Sequence, residues 1–251
     1  MDSDALDLSI LAPAFVTGLL VLATHVPLGR EVIRKGIIFI DLAIAQVGAL
    51  GVLIALAFGF DNHGWQMQLI AIGSAITAAL VLYWSETRWP RLQEAIIGVS
   101  FVVAASVALL VVSKHPHGSE HLGDVLAGQI LWTGWSEIAL LAVVTAVLLA
   151  VWSSGKLRQN RLGFYLLFAV AVTCSVQLVG VYLVFASLII PALAVLTLAG
   201  YRAHIVAWSL GAIGYALGLL ASAWFDLPSG PAIVCLLTVV ALLSCFVVGK
   251  N

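Results

Sequence analysis

Nine long apolar runs, joined by short polar connections, occupy most of this 251-residue chain. They fall at 10–28, 36–58, 68–84, 95–112, 138–152, 163–179, 181–199, 204–224 and 231–248. A helix crossing a bilayer needs about 20 mostly apolar residues, so each run is a candidate span. The sixth and seventh are separated only by Gly180. Composition agrees: 63% of residues are hydrophobic, 9% are charged, and the mean hydropathy is +1.14. A soluble domain carries roughly 25% charged residues, so a soluble enzyme, a nucleic-acid binder and a disordered chain are all excluded. The expected fold is an all-α polytopic membrane helix bundle of about 8–9 spans, forming a single transmembrane domain over 1–251.

The beginning of the chain, Met1-Asp2-Ser3-Asp4, is acidic. A secretory signal needs a basic start, so the first run is expected to be a retained span. Cys174, Cys235 and Cys245 lie in apolar runs without CxxC spacing and read as small packing residues.

Charge placement predicts orientation. Cytoplasmic loops collect Lys and Arg. With the N-terminus external, Arg30, Arg34, Lys35, Arg88, Arg91, Lys156, Arg158, Arg161, Arg202 and Lys250 are all cytoplasmic, and only Lys114 is external. The reverse orientation would expose ten of the eleven basic residues outside. Every loop is too short for a soluble domain, and neither GxxxxGK[ST] nor HExxH occurs. Any work that uses ATP therefore needs a separate ATPase.

Asp41 is the only carboxylate within an apolar run, six residues into the second. A carboxylate inside a span costs about 2.5–3.5 kcal/mol on insertion scales and normally faces a cavity, a partner or a substrate path. It reads as a cation ligand or proton carrier, or as a partner of Arg34, Lys35 or backbone. Gln46 lies five positions on, about 140° around a helix, and suits a bond to a neighbouring helix better than direct ligation. Gln177 is the clearest polar residue of the sixth run, and Asp41, Gln46, Gln177 and Ser187 together make the expected metal translocation path. Ser187 precedes Pro191 in Ser187-Leu188-Ile189-Ile190-Pro191. A proline within a span frees a carbonyl that can line an ion path, or simply kinks a packing helix.

The longest loop contains His115, His117, His121 and Asp124, with Asp61 and His63 on the same expected side. Imidazole with carboxylate suits zinc, and manganese or iron(II) less sharply. The cluster is either an external metal-capture site or a solvated polar loop.

Several segments resemble the membrane permease of ABC-type importers of zinc, manganese and iron(II). Arg34-Lys35-Gly36-Ile37-Ile38-Phe39-Ile40-Asp41 is similar to that family's basic pair followed by F-I-G-D-A-L-S-H-A. The stretch from Leu126 to Glu137 resembles L-F-G-S-I-L-x-V-S-W-x-D. The stretch from Gln177 to Ala192 resembles Q-x-V-G-V-L-L-V-x-A-L-L-I-I-P-A, and that from Asp226 to Val234 resembles D-L-P-P-G-A-T-I-V. The matches occur in order along most of the chain, and the third is the most specific.

The resemblance implies the transmembrane subunit of an ATP-driven divalent-metal importer in the plasma (inner) membrane of a prokaryote. It implies a homodimer around a central path, an ABC ATPase subunit, an external metal-binding protein, and a metal ion carried as substrate with no permanently bound cofactor. Of the family's Asp/His pair only Asp41 is present, because Ala45 stands where the histidine would be. The family's acidic docking segment is replaced by a short basic loop, so Lys156, Arg158 and Arg161 become the expected ATPase contact. That shortened loop also motivates an alternative, an ATPase-independent metal-ion carrier or channel.

Overall fold

The computed structural model of the chain describes residues 8–58, 65–113, 130–155 and 160–248, without the side chains of Trp65 and of residues 245–248. These residues form nine α-helices: α1 Leu8–Lys35, α2 Ile40–Ala57, α3 Trp65–Arg88, α4 Gln93–Val112, α5 Trp135–Ser153, α6 Arg161–Val179, α7 Val181–Ala194, α8 Gly200–Phe225 and α9 Ser229–Val248. Short 3-10 turns at Pro90–Leu92 and Ile130–Trp132 precede α4 and α5. The all-α membrane bundle expected from the sequence is thus present, with one helix for each apolar run.

Seven of the nine, α1 to α6 and α8, are long and apolar enough to cross a membrane; Val181–Ala194 and Ser229–Ser244 are apolar but shorter. The 14 residues of α7 rise only about 21 Å, less than the roughly 30 Å hydrocarbon layer. The sequence run 181–199 is therefore not one helix. It stops at Ala194, is followed by turns, and α8 begins at Gly200. Gly180, with φ +81°, makes the break between α6 and α7, in a left-handed region that glycine enters without steric cost.

Helix α1 runs through the middle of the bundle, packed on α5, α7 and α8. Helix α2 packs on α3, α4 and α6, and also meets α7. Close approach replaces the hydrophobic effect as the force joining helices in lipid, so small residues sit at the crossings. A Cβ on Gly29 would lie 1.9 Å from the Leu188 carbonyl oxygen of α7, and one on Gly218 would lie 2.4 Å from Ile233 Cα of α9. Fully buried Tyr165, Tyr215, Phe164 and Phe168 fill the wider gaps. Val99, Val102, Val103 and Leu110 of α4, and Leu140, Val143 and Val147 of α5, remain exposed, as suits a surface bathed in acyl chains.

Candidate ion site

The apolar run that starts at residue 36 does not start as a helix. Gly36 has φ +70°, and Gly36 to Phe39 form a bend held by Gly36 N–H to Ile33 O (3.1 Å) and Ile40 N–H to Ile37 O (3.3 Å). Helix α2 begins at Ile40, so Asp41 occupies its first turn rather than a position six residues inside. An anion is favoured there, because the first N–H groups of a helix point outward without partners.

Asp41 is nevertheless 1% exposed, and its Oδ1 is buried without a hydrogen-bond partner among the described residues. The two nearest cations in sequence are engaged elsewhere. Arg34 pairs with Glu31 Oε1, and Lys35 Nζ lies 3.9 Å from the same oxygen and 5.2 Å from the centre of the Phe164 ring. Among the described residues no ion pair includes Asp41. A buried acceptor-only oxygen of this kind is costly until a cation, a proton or a donor reaches it.

Two neighbouring helices fix the bend. The Phe39 N–H donates to Glu94 Oε1 of α4 at 3.3 Å. The Phe39 ring stacks on Phe185 of α7, with centroids 6.1 Å apart and planes inclined by 7°. Beside Glu94, Gln93 is buried: its Nε2 donates to Leu82 O (2.8 Å) and to the Tyr165 hydroxyl (3.1 Å), and its Oε1 accepts from Ser85 Oγ (2.8 Å).

The other expected path residues do not gather around Asp41. Gln46 is buried on a different face of α2. Gln177 is exposed near the end of α6, close in sequence to exposed Tyr182 of α7. Ser187 is fully buried, and its hydroxyl is already bonded to Leu183 O (2.6 Å) and to the Tyr215 hydroxyl of α8 (2.8 Å). Its partners make it part of the α7–α8 contact. The outer residues His63, His115, His117, His121 and Asp124 lie outside the described residues, as do Lys156 and Arg158. Arg161 is the exposed first residue of α6. Among the described residues no three His, Cys, Asp or Glu side chains come together as a metal site.

Sequence reading did not single out three features. Glu94 as a partner of the α2 bend carried no signal beyond an acidic residue at a span edge. His25, in the middle of α1, is fully buried, with Nδ1 2.9 Å from Val21 O and Nε2 unpartnered among the described residues; a histidine inside an apolar run was its visible signal. At the basic end of the bundle a cavity of about 530 Å³ opens between the ends of α1, α5 and α7 and the start of α8. There Arg30 Nη1 lies 2.6 Å from His204 Nδ1.

The model of the ABC 3 transport family matches residues 7–156 and 154–248. This chain belongs to the ABC 3 transport family. It is therefore the multi-pass membrane subunit of an ABC-type transport system, and ATP hydrolysis is carried out by a separate component. The permease is similar to the "High-affinity zinc uptake system membrane protein ZnuB" of Haemophilus influenzae, 21% identical over 261 residues that cover 94% of this chain and 97% of the relative. It is similar to a "Probable metal transport system membrane protein" of Chlamydia muridarum, 25% identical over 86% of this chain and 81% of that protein. Among solved structures it shares the fold of "PsaBC from Streptococcus pneumoniae in complex with Fab", with a TM-score of 0.77, 22% identity, and coverage of 98% of this chain and 96% of the other. In this ABC 3 permease, Asp41 at the start of α2 is a buried carboxylate whose Oδ1 has no partner among the described residues. It is a hard oxygen donor with no ion-pair partner among the described residues.

Proposed function

We infer that this permease is the membrane subunit of a divalent-metal uptake system, taking zinc, manganese or iron(II), and that the ion passes Asp41. The observation that carries the second part is the buried, unpartnered Oδ1 of Asp41 beside cations already paired with Glu31. The names of the relatives, which speak of zinc and metal transport, support the first part.

In this reading the whole chain is a single permease domain that pairs with a second copy, and the path lies between them. The N-terminus and the 114–124 loop face outward, because ten of the eleven basic residues then lie inside. An external metal-binding protein delivers the ion, with His63, His115, His117, His121 and Asp124 as the first acceptors. Exposed Gln177 faces the second copy and contributes an amide to the path, with Gln46 and Ser187 holding the helices around it. On the inner side Lys156, Arg158 and Arg161 receive the ATPase. Closure of the ATPase pair moves the permeases as bodies, and the ion leaves Asp41 toward the inside.

Asp41→Asn keeps size and hydrogen-bonding capacity and removes the charge. Metal uptake by cells carrying this variant at the native locus should fall to background at all metal concentrations, with the permease present in the membrane in normal amount. Wild-type uptake by Asp41→Asn would remove Asp41 from the path.

A further inference from the structure

Helix α2 has no cap of its own. Phe39, its N-cap residue, supplies no side-chain hydrogen bond, and an aromatic side chain cannot. The acceptor comes instead from another helix: Glu94 Oε1 takes the Phe39 N–H at 3.3 Å, across 55 residues of chain. A carboxylate at a helix start meets both the orphan N–H groups and the positive end of the helix dipole, and such charge-assisted bonds are stronger than neutral ones. Glu94 is itself placed by its neighbour. Gln93 is buried and bonded to Ser85 and Leu82 of α3 and to Tyr165 of α6. The first turn of α4 is thereby fastened to two helices before it reaches α2. On the other side of the bend, the Phe39 ring lies flat against Phe185 of α7.

We propose that Glu94 is a positioning residue for the ion site: it caps α2 from α4, and with the Phe39–Phe185 stack it fixes the bend that aims Asp41. This rests on the reading of Asp41 as the ion's ligand. Only Ile40 separates the capped amide from Asp41, so any loosening of the bend displaces the carboxylate directly. Glu94 also takes a backbone bond from Ile38, so one carboxylate holds two amides of the bend. The bend's own hydrogen bonds, from Gly36, Ile37 and Ile40, run only to residues 33, 32 and 37. The cap requires an acceptor oxygen at residue 94 and does not require a negative charge there. That separates capping from direct ligation of the cation by Glu94, which would require the charge.

The test uses the permease at its native locus in whole cells, with uptake of zinc and of manganese measured across a range of concentrations. Membrane amount and thermal unfolding of the purified permease are followed in parallel. Glu94→Ala should raise the half-saturating metal concentration about tenfold, the scale of one lost hydrogen bond to a charged group. Glu94→Gln, which retains an acceptor oxygen but loses the charge assistance, should be impaired clearly less than Glu94→Ala. Phe185→Leu keeps an apolar side chain at a half-buried position and removes the stack. It should raise half-saturation in the same direction with the fold intact, and it remains informative if Glu94→Ala fails to accumulate. Unchanged half-saturation in both Glu94→Ala and Phe185→Leu would overturn the proposal. So would a Glu94→Gln variant as impaired as Glu94→Ala, because the charge and not the cap would then be in use. Asp41→Asn, measured alongside, separates the two ideas. A dead Asp41→Asn with a normal Glu94→Ala removes the positioning role alone. An active Asp41→Asn with an impaired Glu94→Ala removes the Asp41 path and, with it, any action of Glu94 through Asp41.

Discussion

Lys35 Nζ lies 3.9 Å from Glu31 Oε1, one helical turn back along α1. Arg34 joins the same carboxylate. The basic pair that precedes Asp41 in sequence thus shares one carboxylate, three positions before Arg34 and four before Lys35. The two carboxylates should separate on mutation. Glu31→Gln should lower the amount of folded permease, though modestly, because Arg34 is largely exposed and pairs of this kind are worth about 0–1 kcal/mol. Asp41→Asn should leave that amount unchanged and stop uptake. Quantitative blotting of membranes against metal uptake checks both, and assembly loss in Asp41→Asn would reverse the assignment.

Gly29 decides how closely α1 and α7 approach. Gly29→Ala would place a Cβ where the Leu188 carbonyl now is, and a backbone atom cannot step aside as a side-chain tip can. The two helices must separate, at a cost of about 1–3 kcal/mol, the usual range for overpacking. The expected outcome is a lower unfolding temperature in detergent. Gly73→Ala, where a Cβ meets nothing within 4 Å, serves as the control with no loss.

Tyr215 and Ser187 bind one another in a fully buried contact between α8 and α7. Tyr215→Phe deletes the phenolic oxygen and leaves Ser187 its bond to Leu183 O. A loss of about 1 kcal/mol in stability is expected, the net value of one such bond. The half-saturating metal concentration should not change if Ser187 holds helices together. A shift in metal selectivity in Ser187→Ala would instead place its hydroxyl in contact with the ion.

Orientation can be read with single cysteines in a chain whose Cys174, Cys235 and Cys245 have been replaced by alanine. Ser119→Cys should react with an impermeant maleimide in intact cells. Ser154→Cys, an exposed position just past the end of α5, should react only after the membrane is opened. The opposite pattern would invert the bundle.

Reversal of charge at Lys156, Arg158 and Arg161 together should release the ATPase from purified complexes while the permease stays folded. Exposed charges contribute little individually, so single reversals are expected to be silent. Full retention of the ATPase after triple reversal would move the contact to another loop.

Hydropathy alone placed the nine helices of the described residues, because lipid imposes one strict demand, a long apolar run with its backbone bonds satisfied internally. The same demand hides which way each helix faces. Helices such as α4, α5 and α6 are apolar all round, so periodicity carries no signal for a buried side. Sequence therefore singled out Asp41 as an anomaly but assigned Ser187 and Gln177 to one path. In the structure one of these is sealed against Tyr215 and the other is exposed. The pairing of Glu31 with Arg34 and Lys35, at i, i+3 and i, i+4 within α1, follows from spacing along the chain, but spacing could not show that Glu94 reaches across 55 residues to cap α2. That contact, like the one between Ser187 and Tyr215, depends on distances between helices. In a bundle without a hydrophobic effect between its members, such distances are set by the small residues at each crossing, Gly29 and Gly218 among them, and become definite only when the helices pack.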